Sequence, residues 1–181
     1  QCLDNEISKV LIKSIKDKDL QFQIATAHDH RQNLAERAIQ TFKSYFISIL
    51  NEIMKYELAG VVRYTHSALM VVGPYRESLI SYFNGQSSES LTHAQSAGDL
   101  LVSLGGHPSQ DISIIKETNE HSITALLQES LEHERNAVSL YKKLLSEVLD
   151  KSIYLEEYAK EMIKNEEIHS LTVEKMLKDY E

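Results

Sequence analysis

Apolar residues recur every three or four positions in four long stretches of the chain, a spacing typical of amphipathic helices. The pattern predicts helices over residues 45–72, 76–104, 119–149 and 152–178. The first helix ends at Gly73-Pro74 and the second at Gly105-Gly106, and all six glycines and both prolines follow residue 59. Because glycine and proline end helices, these breaks support the predicted bounds. We expect an all-α domain.

The four predicted helices have similar lengths, each roughly 40–47 Å at a rise of 1.5 Å per residue. Matched lengths are typical of a four-helix bundle. Short links join the first helix to the second and the third to the fourth, so each pair forms an antiparallel hairpin. The link between the hairpins, from Gly105 to about Lys116, is long enough to cross the bundle. The predicted fold is two hairpins joined by a crossover.

Residues 1–44 follow a different pattern, and we expect them to form an N-terminal extension to a bundle domain of residues 45–181. Asn5 to Lys18 is helix-like and Leu20 to Ala27 is strand-like. The chain is helix-like again from Asn33, and no breaking residue separates it from the first bundle helix.

The negative charge of the chain belongs to the bundle. The formal net charge is −8. Residues 1–44 carry seven of the 19 Lys/Arg and six of the 27 Asp/Glu, so residues 45–181 carry 12 and 21, a balance of −9. This balance argues against nucleic acid as a partner of the bundle and suits cations. An acidic surface that only maintains solubility is the alternative.

Cysteine content and hydropathy indicate the cellular compartment of the protein. Cys2 is the single cysteine, so no internal disulfide can form, which fits a reducing compartment. No apolar run approaches the roughly 20 residues that span a bilayer. The N-terminus lacks a signal-peptide pattern. We expect a cytoplasmic protein with no membrane partner.

Carboxylates and histidines lie near the middle of all four predicted helices. The last helix carries Glu166 and His169, whose Glu-x-x-His spacing places both on one face. The other helices contribute Glu57, His93 and Glu132. A di-iron site in a bundle combines carboxylate oxygens with imidazole nitrogens from facing helices. Each residue alone equally fits a solvated or packed position, so the agreement across four helices carries the prediction.

Glu57 is the most informative of these carboxylates. Its neighbours Leu58, Val61 and Val62 indicate that this part of the helix faces inward. Burying an unpaired carboxylate is costly, so Glu57 needs a partner. A metal ion is the simplest partner, and protonation or an arginine would also serve.

The stretches NEIMKYELAGVVRYTHSALMV, SESLTHAQSAGDLLVSLGGHPS, ESLEHERNAVSLYKKLL and YAKEMIKNEEIHSLTVEKML occur in this order. Together they resemble the bacterioferritin-like branch of the ferritin-like superfamily, over residues from about 45 to 181. The resemblance implies iron(II) binding, oxidation by dioxygen or peroxide, and iron storage or detoxification. It implies a di-iron centre, for which Mn or Zn can substitute. Its ligand positions fall on Glu57, His93, Glu132, Glu166 and His169.

The second helix departs from the family pattern. The family has Glu three residues before His93, and this chain has Ser90 there and Glu89 one residue earlier. Either Glu89 completes the site, aided by a small helical irregularity, or one bridging carboxylate is missing and water or Ser90 takes its place. Leu91 stands where bacterioferritins have their haem-binding methionine, so we expect no haem by that route.

The resemblance gives two further expectations. Tyr64, seven residues after Glu57, falls where the family often has a tyrosine near the metals. It is a candidate electron donor, and a packed core tyrosine is the alternative. We also expect a homo-oligomer, at least a dimer.

The N-terminal extension has a resemblance of its own. CLDNEISKVL and LQFQIATAHDHRQNLAERAIQTFKSYF resemble the latter part of a retroelement-type integrase core. Asp4 and Glu36 would match two of its three metal-binding acids, and without the first acid we expect no working integrase site. A structural leader is the alternative. The histidines without a matching partner set are assigned to the surface or to packing: His28, His30, His66, His107, His121 and His133.

Two functions therefore compete. The first is an iron oxidase or storage protein. The second is a degenerate, non-catalytic bundle whose metal site is lost or halved, and which acts in structure or partner binding. Metal analysis separates them, since the first requires close to two irons per chain and the second none or one.

Overall fold

The computed structural model describes residues 34–180, with side chains described for residues 40–179. Its four helices are α1 (Leu34–Met70), α2 (Arg76–Ser103), α3 (Ile123–Val148) and α4 (Ile153–Leu177), and a 3-10 turn follows at Lys178–Tyr180. Residues 34–180 contain no strand. The all-α prediction is confirmed. None of the described helices is long and apolar enough to cross a membrane.

Glycines end the first two helices as predicted. Gly73 lies three residues after the end of α1 and adopts a φ of +101°, and Gly105 lies two residues after the end of α2 and adopts +81°. At the end of α2, Gly106 N–H donates to the Leu101 carbonyl at 2.9 Å and Gly105 N–H donates to Val102 at 2.8 Å. These paired bonds satisfy the last carbonyls of the helix and require a left-handed residue, which glycine supplies without strain.

Two helix starts differ from the sequence prediction. α1 begins at Leu34 rather than residue 45, because the helical pattern from Asn33 continues without a break. α3 begins at Ile123 rather than residue 119. Ser122 caps it by accepting a 3.1 Å hydrogen bond from Ala125 N–H, and Asn119 has a φ of 56°, which an α-helix excludes.

The segment between α2 and α3 lies along α1. Ser109 N–H donates to Asn51 Oδ1 at 2.8 Å, and Ser113 N–H donates to the Lys55 carbonyl at 3.0 Å. Further along, the His121 ring lies 5.7 Å from the His66 ring. Asn51 and His66 are separated by about 22 Å of helix, so the segment crosses much of the bundle. The predicted crossover is confirmed.

The core consists of two apolar ends with a polar layer between them. One end is formed by Tyr64, Ala68, Val71, Leu79, Phe83, Leu126, Leu127 and Val173. The other end is formed by Phe46, Ile49, Leu50, Leu101, Leu144 and Val148. Buried polar side chains occupy the middle: Glu57, Ser90, His93, His133, Glu134 and Glu166. Burying so many titratable groups is costly unless they are paired or bind a metal.

Candidate metal centre

Carboxylates and imidazoles from all four helices converge at mid-height in the bundle. The converging side chains are Glu57 on α1, His93 on α2, Glu134 on α3, and Glu166 and His169 on α4. Glu57, Glu134 and Glu166 are 2–3% exposed. Three buried carboxylates in one layer repel one another unless cations neutralise them.

Glu166 lies at the centre of this cluster. Its Oε1 is 2.8 Å from His93 Nδ1 and its Oε2 is 3.4 Å from His169 Nδ1. A second carboxylate approaches the same nitrogen of each histidine: Glu57 Oε1 is 3.7 Å from His93 Nδ1, and Glu134 Oε2 is 3.4 Å from His169 Nδ1. Glu166 therefore divides its two oxygens between two histidine–carboxylate pairs.

The cluster contains two sets of potential ligands. The first group is Glu57, His93 and Glu166, and the second group is Glu134, Glu166 and His169. In each group the candidate ligand atoms lie within 4.8 Å of one another. Two groups that share one carboxylate match the requirement of a dinuclear centre for a bridging ligand.

Two buried tyrosines hold the outer carboxylates. Tyr141 donates from its hydroxyl to Glu57 Oε1 at 2.9 Å, and Tyr64 donates a short hydrogen bond to Glu134 Oε1. Each tyrosine lies seven residues after the carboxylate on its own helix and reaches the carboxylate of the other helix. Burial raises the pKa of both hydroxyls, so they stay protonated and remain donors.

Protons hold the cluster together when no cation does. Burial lowers the pKa of His93, but contacts with Glu166 and Glu57 outweigh burial and raise this pKa to about 10. Burial also opposes the charged form of His169, but contacts with Glu134 and Glu166 raise its pKa to about 10. Burial raises the pKa of Glu134, whereas the two histidines keep the pKa of Glu166 low against the effect of burial. A metal ion must therefore displace protons from both imidazoles.

The ferritin-like domain family matches residues 47–181, most of the described bundle and its carboxylate–histidine cluster. The chain belongs to the ferritin-like family. This confirms the resemblance seen in the sequence. A search of curated proteins gave no significant match.

Solved structures share the fold. A ferritin-like di-iron-carboxylate protein from Bacillus anthracis is 23% identical, with a TM-score of 0.71 over 75% of this chain and 97% of its own. A dodecameric thioferritin from Bacteroides fragilis, a bacterioferritin-related protein, is 23% identical, with a TM-score of 0.72 over 76% and 87%. The bacterioferritin of Rhodobacter capsulatus is 20% identical, with a TM-score of 0.68 over 76% and 86%. At these identities the likeness shows the ferritin-like fold.

The structure corrects one predicted ligand of this ferritin-like chain. It brings Glu57, His93, Glu166 and His169 together, but Glu132 is exposed on α3 and Glu134 is buried in the cluster. Residues two apart on a helix lie about 200° apart around its axis, so they cannot share a face. The sequence held a signal for Glu134: it lies seven residues before Tyr141, the spacing that separates Glu57 from Tyr64.

Glu89 reaches the cluster from its edge. Its side chain is 40% exposed, and its Oε2 lies 3.3 Å from His169 Nε2. The helical irregularity that one alternative invoked for Glu89 is absent, because α2 is a regular α-helix from Arg76 to Ser103. Ser90 is 6% exposed and takes the inward-facing position. Glu89 belongs to neither ligand group but extends the second one toward the surface.

His133 packs beside the cluster and touches none of its carboxylates through a described hydrogen bond. Its ring stacks on Tyr56 at 4.4 Å and meets Tyr64 edge-on at 5.5 Å. Burial lowers the pKa of His133 to about 4, so the ring is neutral at pH 7. Gly60 makes room for it: a Cβ at Gly60 would lie 2.6 Å from His133 Nε2 and 2.8 Å from Ser90 Oγ. The packing assignment therefore fits His133.

Other predictions fall outside what the described residues test. Asp4 and the side chain of Glu36 lie outside them, so the integrase resemblance and the division of the chain at residue 45 stay predictions. Leu91 is 42% exposed on α2, and the expectation of no haem also stays a prediction. His66 and His107 are exposed, as assigned.

Proposed function

We propose that this chain binds two ferrous ions in its central cluster and oxidises them, in iron storage or detoxification. The position of Glu166 carries the proposal. Its two oxygens face two separate histidines, and a second carboxylate approaches the same Nδ1 nitrogen of each histidine. A structural ion-pair layer needs no such pairing of donors, whereas two adjacent cations need one shared carboxylate.

The donor set fits iron. Carboxylates with imidazoles suit Fe(II), and Mn(II) or Zn(II) can occupy the same donors. Glu166 Oε1 is buried without an aligned hydrogen-bond donor, despite its 2.8 Å approach to His93. A cation in the first group would give this oxygen a well-directed partner, and a carboxylate oxygen without one is costly to bury. The first group would hold one ion and the second group the other, with Glu89 beside the second.

Each protein group has a distinct task. Tyr141 and Tyr64 hold Glu57 and Glu134 in place. Tyr64 binds Oε1 of Glu134 and leaves Oε2 toward His169, whereas Oε1 of Glu57 meets both Tyr141 and His93. The histidines give up their protons as the ions bind. Iron(II) is the substrate: two ferrous ions supply two electrons, which reduce dioxygen to peroxide or peroxide to water. When only one ferrous ion is bound, Tyr64 would supply the second electron for the reduction of peroxide to water, and its hydroxyl proton would pass to Glu134.

Anaerobic titration with Fe(II) tests the proposal directly. Calorimetry should show close to two ions bound per chain, with release of about two protons at pH 7, because both imidazoles are protonated there before the ions bind. Admission of dioxygen or peroxide should then oxidise both ions rapidly. A chain that binds no Fe(II) rules the proposal out.

The half-site or degenerate bundle remains the second candidate, and Ser90 supports it. A serine at this inward position leaves Glu166 as the one buried carboxylate shared by both groups. Under that function the titration stops near one ion, or at none. The variant Glu89→Gln helps to separate the two functions. If the chain binds two ions, the variant should weaken the affinity for the ion beside His169 by about ten-fold. If it binds a single ion in the first group, the variant should leave the affinity unchanged.

We also propose that the chain forms a homo-oligomer. Three apolar side chains on and after α1 are open to solvent: Val62 is 48% exposed, Leu69 73% and Val72 70%. Val62 and Leu69 are seven residues apart and share a helix face. One solved relative is a dodecamer. Sedimentation should show a mass well above one chain, and Leu69→Lys should reduce it.

A further inference from the structure

A groove between α2 and α4 leads from the surface to the candidate metal centre. It encloses about 450 Å³, and His93 forms part of its wall. His93 belongs to the first ligand group, so the groove reaches the cluster itself. The cavity beside the His66–His121 pair is smaller, about 180 Å³, and its lining contains no member of either ligand group.

The lining of the groove suits a positive ion. It contains Asp99 and Glu161, both exposed, and no lysine or arginine. Between these acids and His93 lie neutral oxygen-bearing side chains, among them Ser96 and Asn165. By contrast, the other cavity includes Arg63 and Lys116 in its wall. A concave surface lined by one sign of charge concentrates ions of the opposite sign.

The polar contacts between α2 and α4 are also the ones that a cation would replace. In the part of the chain that the structure describes, side-chain hydrogen bonds and ion pairs join α2 to α4 at two places, His93–Glu166 and Glu89–His169. Both contacts involve the ligand histidines. No other polar contact among the described residues has to break for an ion to pass between the two helices.

We infer that divalent cations reach the centre through the α2–α4 groove, with Asp99 and Glu161 attracting them and His93 at the inner end. This inference rests on the proposed function, because it supposes a cation site behind His93. It predicts that the two acids govern how fast cations bind, but not how many bind at equilibrium.

Stopped-flow binding of Co(II) alone to the full chain separates rate from stoichiometry, since bound Co(II) absorbs visible light. The test variant is Asp99→Asn with Glu161→Gln. The matched control is Glu117→Gln with Glu120→Gln, which removes the same charge from exposed positions beside the other cavity. At low ionic strength the test variant should bind Co(II) about three- to ten-fold more slowly than the control. Salt should abolish the difference.

A plug provides a second, independent test. Ser96→Phe fills the groove, and Ser88→Phe is its control, because Ser88 is exposed on α2 outside the lining and donates the same i−4 hydrogen bond. The plugged chain should bind Co(II) more slowly than the control at every salt concentration, with unchanged final stoichiometry.

The outcomes distinguish the two proposals. Wild-type chain that takes up no Co(II) or Fe(II) overturns the proposed function, and this inference with it. Normal uptake with equal rates in the groove variants and their controls overturns the route alone. Slow uptake in the variants with a full final complement supports both.

Discussion

The two seams that enclose the candidate centre are closed in different ways. At the α1–α3 seam, neutral tyrosines hold buried carboxylates, and Tyr56 stacks on His133. At the α2–α4 seam, the contacts are histidine–carboxylate pairs beside a groove of about 450 Å³. We call these the closed seam and the open seam.

The two seams therefore have different roles: the closed seam positions carboxylates, and the open seam exchanges protons for cations. Donors at the closed seam keep their protons over any physiological pH, because burial raises the pKa of Tyr64 and Tyr141. The carboxylates they hold therefore stay oriented with or without a cation. The histidines of the open seam carry protons that a cation can displace. The centre is thus rigid on one side and exchangeable on the other.

Removing the shared carboxylate should have the largest effect. Glu166→Gln leaves both ligand groups incomplete, so we expect iron binding to be lost and rapid oxidation to fall by at least about a hundred-fold. Its control is Glu167→Gln on the same helix, where the carboxylate is exposed and pairs with Lys142. Iron titration and stopped-flow oxidation measure both. Two tightly bound irons in Glu166→Gln would show that Glu166 bridges nothing.

A matched pair on α3 tests the corrected ligand. Glu134→Gln should weaken the ion of the second group by about ten- to a hundred-fold, whereas Glu132→Gln should bind like wild type. The reason is position alone, since Glu134 is buried beside His169 and Glu132 faces solvent. Calorimetric titration of both variants with Fe(II) shows whether Glu134 or Glu132 is the ligand. A defect in Glu132→Gln with normal binding by Glu134→Gln would place the α3 ligand where the sequence first suggested.

A larger side chain in the closed seam should destabilise the fold. Gly60→Ala puts a methyl 2.6 Å from His133 Nε2, and His133 cannot yield because Tyr56 and Tyr64 pack on it. We expect a loss of about 1–3 kcal/mol in the free energy of unfolding. Gly85→Ala is the control: nothing lies within 4 Å of the new Cβ, so this helix should gain up to about 1 kcal/mol. Thermal unfolding of the two chains is the measurement, and equal stability would mean that the seam is loosely packed.

The stability that the open seam gives to the metal-free chain should depend on pH. His93 and His169 have pKa values of about 10 in the fold and about 6.5 when unfolded. Their contribution to stability is therefore complete below pH 6.5 and is lost as pH rises toward 10. These pKa values already include the effect of burial, which opposes the protonated rings. Denaturant unfolding in chelator should show stability falling over this range.

The variant His93→Ala with His169→Ala is the control for the pH measurement, and it should show a weaker dependence. With saturating Fe(II) the fall above pH 6.5 should disappear, because neither the iron-bound fold nor the unfolded chain then carries protons on these imidazoles, and stability should rise with pH only below about 6.5. Stability that rises with pH in the metal-free chain would contradict the assigned contacts.

Much of the fold could be predicted from the sequence because local rules decide it. Gly73 and Gly105 adopt left-handed conformations that end two helices, and the spacing of apolar residues gives the rest. The start of α3 was harder to place. Residues 119–122 are polar and could begin a helix. The cap at Ser122 and the backbone conformation at Asn119 depend instead on the path of the crossover segment that precedes α3.

The site was predictable where spacing within a helix sets it and less so across helices. Glu166 and His169 follow from an i, i+3 rule. The choice between Glu132 and Glu134 depends on the rotation of α3 in the bundle, which packing decides. The role of Glu89 depends on the gap between α2 and α4, which a single sequence does not encode locally. The groove lies in the same gap and has no sequence signature.

Crystals soaked anaerobically with Fe(II) and measured at the iron absorption edge reveal where iron binds. We predict two anomalous peaks, one on each side of Glu166, the first beside Glu57 and His93 and the second beside Glu134 and His169. A single peak, or iron bound away from Glu166, would contradict this prediction.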